Sequence, residues 1–233
     1  MANWDIMTYY CAISMLIFAY LLGSIASAVW IGKRYYGIDI REHGSKNAGT
    51  TNMLRVLGKR AAIPVFILDF FKGFLAVTLV GMLRYDPAIS SAWLINLKIL
   101  GVFAAMLGHI FPIFANFKGG KGVLCTAAMA LVLTPVEFLI LITLFIIIVA
   151  TSKYVSLGSV CVATLFPVIV NGYIKVFLGG MPNGILSLST IILAILVVWC
   201  HRENLKRISD RTERKLSFKK KDVEVKKDDE DEE

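Results

Sequence analysis

Long apolar runs alternate with short polar segments along the chain, and the runs exceed what a buried core helix requires. They predict spans at about 7–32, 61–83, 93–114, 123–135, 136–152, 155–177 and 184–201, with ends set to within about 2–4 residues. The runs are continuous instead of strictly alternating, which argues against a membrane β-barrel. The fourth and fifth spans together cover "VLCTAAMALVLTPVEFLILITLFIIIVA", a stretch that one long helix could also fill. Each half alone reaches only about 20–25 Å, against a hydrocarbon core of about 30 Å. Pro135 nevertheless removes a backbone donor and disfavours helix at Thr134, so "TPVE" reads as a turn. Parity agrees. Seven spans put every strongly basic segment on one side, whereas six would not.

Orientation follows from charge. Asp5 precedes the first span and no Lys or Arg occurs before Lys33, which predicts an external N-terminus and a cytoplasmic C-terminus. A signal peptide would carry a basic leading region, so this first span is expected to stay. The expected fold is an all-α integral membrane protein, a seven-transmembrane-helix bundle.

Composition adds bounds. At 233 residues and 57% hydrophobic, the chain holds one bundle over residues 1–216 and a charged tail over 217–233. That tail, "SFKKKDVEVKKDDEDEE", is expected to be disordered. The formal charge of +8 would suggest nucleic acid in a soluble chain, but no aromatic–basic interleaving accompanies it, so nucleic acid is not an expected partner. Cys11, Cys125, Cys161 and Cys200 form no CxxC pair and read as small buried hydrophobes; no metal site and no cofactor are expected.

Three polar segments are richer than connectors need to be. The first, "DIREHGSKNAGTTNMLRVLGKRA", sets glycines, hydroxyls and amides around Arg41, Lys46, Arg55 and Lys59. Such residues let backbone amides converge on an anion that arginines can grip; the plainer reading is a loop entering a helix capped near Thr50 or Thr51. The second, "NFKGGKGV", places Gly119, Gly120 and Gly122 with Lys118 and Lys121 just before an apolar helix. It lacks Walker A spacing, but its glycines and the following helix N-terminus suit an anion. A positive-inside turn is the alternative. The third, "HRENLKRISDRTERKL", shows His201, Asn204 and Ile208 on one face of a helix leaving the membrane, or else a basic helix lying on headgroups. Inside the spans, Asp69 and Lys72 stand three apart on one helical face, to pair together or receive a loop arginine, and His109 near a helix end reads first as a structural histidine; all three are taken as supporting residues of the site. Gly23 and Ser27 read as helix-packing positions.

Taken together, "YLLGSIASA", "HGSKNAGTTNMLRVLGKRA", "LDFFKG", "GHIFPIFANFKGGKG", "SLGS" and "HRENLKRISDRTE" resemble the bacterial PlsY-type acyl-phosphate:glycerol-3-phosphate acyltransferases over most of the chain. The resemblance implies a seven-helix enzyme of the bacterial inner membrane with its active site toward the cytoplasm. It would move a fatty acyl group from acyl phosphate to glycerol 3-phosphate, the first acylation of phospholipid synthesis, giving lysophosphatidic acid and inorganic phosphate. Ser45 and Arg55 match the family's first motif and Gly119, Gly120 and Gly122 its phosphate loop. His201, Asn204 and Glu213 match its third motif, with the glutamate structural. The chain departs from the family at "GSIA", "GSKN", "GTTN" and "DRTE", and Lys46 adds a cation where the family often has glycine.

On that footing the expected contacts of glycerol 3-phosphate are Gly119, Gly120, Gly122 and Lys121, with Lys118 alongside. Those of a phosphate, taken as the donor's, are Ser45, Asn47, Asn52 and Arg55. His201 and Asn204 would orient the hydroxyl. The base stays open between His201, His109 and the substrate's own phosphate, and direct transfer is favoured over an acyl-Ser45 intermediate. Membrane lipids are the surroundings, and oligomeric state is left open. The rival class is an organophosphate transporter, which would place its site at the midplane between repeats; no repeat is evident.

Overall fold

The computed structural model describes residues 5–180 and 183–216, and among them regular structure is entirely helical. The expected disordered tail, 217–233, lies outside the described residues. Helix α1 (Ile6–Gly23) starts at Asp5, whose carboxylate accepts the Thr8 amide at 2.7 Å. The expected first span of 7–32 then divides. The chain breaks at Ser24 to Ala26 and resumes as α2 (Ser27–Tyr36). Nothing in the apolar run signals that stop, because its causes are tertiary. The Ile25 carbonyl, turned out of the helix, accepts Lys72 Nζ at 2.7 Å, and Ser27 Oγ donates to Asp69 at 3.0 Å. Ser27 is thus a hydrogen-bond donor to α4 as well as a small residue. Gly23 does act in packing: a side chain there would run into the Ala105 backbone.

The remaining helices are α3 (Thr50–Leu57), α4 (Lys59–Gly81), α5 (Ser91–Ile110), α6 (Val123–Leu133), α7 (Pro135–Ser152), α8 (Val155–Phe177), α9 (Gly184–Cys200) and α10 (Arg202–Ser209). The "TPVE" turn is present, with Thr134 non-helical and Pro135 opening α7 at a position where its missing N–H costs nothing. Among the described residues five helices, α1, α4, α5, α7 and α8, are long and apolar enough to cross a membrane. A sixth span arises if α9 and α10, bent by 57° at His201, count together. Helix α6 has 11 residues, about 16 Å by the helical rise, short of a hydrocarbon core. The chain is a multi-pass membrane protein, and its outer surface is accordingly apolar, with Ile13, Phe66, Ile146 and Ile195 all exposed.

Helices α1, α4 and α5 pack pairwise, α6 joins them to α7, and α7, α8 and α9 form a second row. The largest buried cluster links the two halves through Met106 of α5, Met129 of α6, Phe166 of α8 and Leu193 of α9. Gly73 lets α4 approach α6 closely: a Cβ there would lie 2.9 Å from the Cys125 backbone. This packing brings the end of α5, the start of α6, the end of α7, the start of α8 and the end of α9 around one cavity.

Candidate active site

The first polar segment is folded by one buried side chain. Asn52, 2% exposed, accepts the Ser45 amide at 2.8 Å and sends its own amide toward the carbonyls of Ile40, His43 and Asn47. Its hydrogen-bonding capacity is spent on the loop. Asn52 therefore shapes the anion-facing segment and is not free to bind a phosphate, contrary to the sequence expectation. Arg41 links this segment to the second: Asp39 holds its guanidinium, which donates to the Ala115 carbonyl at 2.8 Å and the Lys118 carbonyl at 3.3 Å. That hydrogen-bonded pair holds Asp39 well below the usual carboxylate range.

The second segment also differs from a bare amide nest. The Gly119 amide donates to the Ile110 carbonyl at 3.1 Å and the Gly120 amide to the His109 carbonyl at 3.0 Å. These two glycines serve close packing on the end of α5, and a Cβ on either would collide with His109 or its backbone. Neither lines the two cavities of the site, and Lys118 lies exposed outside both as well. What remains for an anion is Lys121, Gly122 and the first turn of α6. Gly122 caps that helix at φ +75°, which favours glycine.

The third segment is a relay centred on Glu213. Its carboxylate accepts Asn204 Nδ2 at 2.8 Å, Ser156 Oγ at 2.9 Å and Arg207 Nε at 2.8 Å. Asn204 turns its oxygen the other way, to Lys121 Nζ. The expected straight continuation of α9 is instead a bend at His201, whose Nδ1 lies 2.8 Å from the Val197 carbonyl. A carbonyl can only accept, so the proton sits on Nδ1 and Nε2 is left as an acceptor. The bend brings His201 and Asn204 to one cavity but leaves Ile208 off it.

Two cavities meet here. The larger, about 450 Å³, is lined by Ser45, Asn47, Arg55, Lys121, His201 and Asn204 at one end. It continues between apolar walls that include Phe138, Leu141, Phe145 and Val149 of α7 and Phe166 of α8. The smaller, about 240 Å³, is polar, with Lys46, Arg202 and Arg207 in its wall. Ser45, Asn47, Lys121 and Asn204 line both. Burial is the main reason the Lys121 ammonium drops to about 8; Glu213 opposes the shift and Arg207 adds to it. Burial likewise lowers Arg55, with Arg214 and Arg207 repelling it while Glu213 attracts. Burial works against the Glu213 carboxylate, but the bonds from Arg207, Asn204 and Ser156 outweigh it, so its pKa is lowered. Cations still outnumber carboxylates here: Arg55, Lys121 and Arg214 line the larger cavity with Asp69 and Glu213, and Lys46, Lys121, Arg202 and Arg207 line the smaller with Glu203, a balance that favours an anion.

Asp69, Lys72 and His109 form a buried cluster beside this site, and Asp69 and His109 reach the larger cavity. Sequence reasoning read Thr50 only as a candidate helix cap, a position that Gly49 takes instead, and gave no site role to Ser156, Arg207 or Arg214. Thr50 Oγ1 is buried at the larger cavity without a hydrogen-bond partner. Its position at the start of a predicted helix was the one available signal. Ser156 lies within "SLGS", and only the fold shows that it meets Glu213.

The family model described as glycerol-3-phosphate acyltransferase matches residues 13–211. A glycerol-3-phosphate acyltransferase of Chlorobaculum tepidum is 38% identical over 229 residues, covering 90% of this chain and 98% of the relative. One from Enterococcus faecalis is 43% identical over 211 residues, covering 88% and 91%. Among solved structures, the glycerol 3-phosphate form of PlsY, an integral membrane glycerol 3-phosphate acyltransferase, superposes with a TM-score of 0.75 at 32% identity. That match covers 88% of this chain and 96% of PlsY. Its lysophosphatidic acid form gives 0.71 at 30% identity.

Proposed function

The chain belongs to the glycerol-3-phosphate acyltransferase family, and from that premise we propose how its two cavities divide the reaction. The enzyme transfers a fatty acyl group from acyl phosphate to glycerol 3-phosphate, giving lysophosphatidic acid and inorganic phosphate. The observation that carries the division is the shared wall. An apolar-lined cavity and a polar one meet at Ser45, Asn47, Lys121 and Asn204.

Glycerol 3-phosphate occupies the polar chamber, its phosphate met by Lys121, Lys46 and Arg202. Acyl phosphate occupies the larger cavity, its chain along α7, where Phe138 to Val149 spans about 16 Å. Its phosphate faces Arg55, Ser45, Asn47 and the Thr50 hydroxyl. The glycerol hydroxyl oxygen attacks the acyl carbon, the new ester C–O bond forms, and the carbon–oxygen bond to phosphate breaks. The hydroxyl proton ends on the departing phosphate, directly or through His201 Nε2. Acyl phosphate is already activated, so the main work is positioning, a contribution of about 7–11 kcal/mol in favourable cases. Fixed donors on the developing oxyanion, Lys121 and the α6 N-terminus, add about 3–4 kcal/mol each where geometry is good.

The α6–α7 pair serves as two spans, α6 being shortened because its start is drawn into the site. That makes seven crossings, with the N-terminus outside and the cavities opening to the cytoplasmic face of the bacterial inner membrane. Support comes from the convergence of all three polar segments on one end of the bundle.

The test is an assay of purified protein with acyl phosphate and labelled glycerol 3-phosphate. Equimolar lysophosphatidic acid and phosphate are expected, with no product from acyl-CoA. Uptake of glycerol phosphate into proteoliposomes without acylation would instead make it a transporter. Labelled acyl group trapped on Ser45 would replace direct transfer by a two-step route.

A further inference from the structure

Beside the site lies a buried charge cluster to which the acyl-transfer steps above give no part, although Asp69 and His109 reach the wall of the larger cavity. Asp69 is 2% exposed, Lys72 5% and His109 8%. Asp69 Oδ1 accepts Lys72 Nζ at 2.9 Å and Ser27 Oγ at 3.0 Å, and it faces His109 Nδ1 at 3.8 Å. Lys72 is also held by the Ile25 carbonyl at the break after α1. Nδ1 itself has no hydrogen-bond partner. On the opposite edge of the ring, Nε2 stands against Gly120 so closely that no Cβ fits between them, with the Ala48 carbonyl beside it. The His109 ring thus separates a buried carboxylate from the point where the first and second polar segments meet.

Charges in a membrane interior are costly, and retention of a pair there needs a purpose. We propose that Asp69, with Lys72, is a positioning device for the second polar segment. Asp69 sets the His109 ring, and the ring's Nε2 edge sets Gly120 and through it Lys121. The contact at 3.8 Å is too long for a hydrogen bond, so the carboxylate positions the ring as a close packed neighbour. Ordering of the glycerol 3-phosphate cradle is therefore linked to the Asp69–His109 contact. The inference rests on the acyltransfer reading above.

The test compares Asp69→Asn with the double variant Asp69→Asn/Lys72→Met, each in purified, folded form. The single change leaves a buried ammonium unpaired and lowers thermal stability; the double change removes both charges and restores it. Expected is a KM for glycerol 3-phosphate raised about tenfold in both variants, with the KM for acyl phosphate near wild type. A KM that returns to wild type together with stability, or never moves, overturns the proposal. Should the Asp69 variants fail to fold, His109→Leu is expected to raise the same KM and His109→Gln to recover part of it. Equal kinetics in those two would overturn it as well. Wild-type protein unable to acylate glycerol 3-phosphate would sink the function itself, a separate outcome.

Discussion

Replacing Gly120 by alanine would place a methyl group inside contact distance of His109 Nε2 and 3.0 Å from the Ala48 carbonyl oxygen. Gly120 is not at positive φ, so the penalty comes from the contact and not from the backbone. The ring cannot easily yield, since Asp69 and the α4–α5 packing lie behind it. Overpacking of this kind costs about 1–3 kcal/mol. The strain is relieved by moving the loop, and the next residue is Lys121. If that whole cost falls on binding, the KM for glycerol 3-phosphate rises about 5- to 150-fold, with a smaller change in kcat. Initial rates at saturating acyl phosphate, with labelled glycerol 3-phosphate varied, read this directly. Gly172→Ala is the control, because a Cβ there meets nothing within 4 Å. An unchanged KM in Gly120→Ala, with the control silent, would refute the claim that this packing sets the cradle.

Three other outcomes are expected. Lys121 is charged below about 8 and neutral above it in the free enzyme, so kcat/KM for glycerol 3-phosphate should fall as pH rises through that value; Lys121→Arg should remove the inflection even if it lowers the rate. Glu213→Ala strips three donors of their acceptor and, with Arg207 partly exposed, should cost about 1–3 kcal/mol in denaturant unfolding, and because the pKa of Glu213 is lowered, its stabilisation in wild type should persist at neutral pH and fade as acid carries the pH through that folded value. Lys46 holds φ +59° in the wall of the polar chamber; Lys46→Gly should relieve about 1 kcal/mol of backbone strain yet raise the KM for glycerol 3-phosphate, and a stabler protein with unchanged KM would deny Lys46 a part in binding.

Most helices were legible because apolar length is a strong signal, and Pro135 marked the α6–α7 turn by its missing donor. The break after α1 was not, since "LLGSIASAVW" stays apolar across it and only Lys72 and Asp69, more than 40 residues on, explain why the chain opens there. The bend at His201 was hidden likewise, because helical spacing already put His201 and Asn204 on one face. Glycine spacing could not distinguish amides offered to an anion from amides given to the end of α5. For Gly119 and Gly120 the structure shows the second. Asn52 posed the same ambiguity, an amide that could grip a ligand or build the loop, and its four partners decide for the loop. Glu213 came from family resemblance alone, since nothing local reveals that it meets Ser156 across 57 residues.

The central claim is that three polar segments form one site on one side of the membrane. Single cysteines introduced by Lys46→Cys, Lys118→Cys and Lys206→Cys, in a chain whose four native cysteines are replaced, sample those segments at exposed positions. With a membrane-impermeant maleimide, all three should react in inside-out vesicles and stay protected in right-side-out ones. Any one of the three reacting from the opposite face would contradict the account.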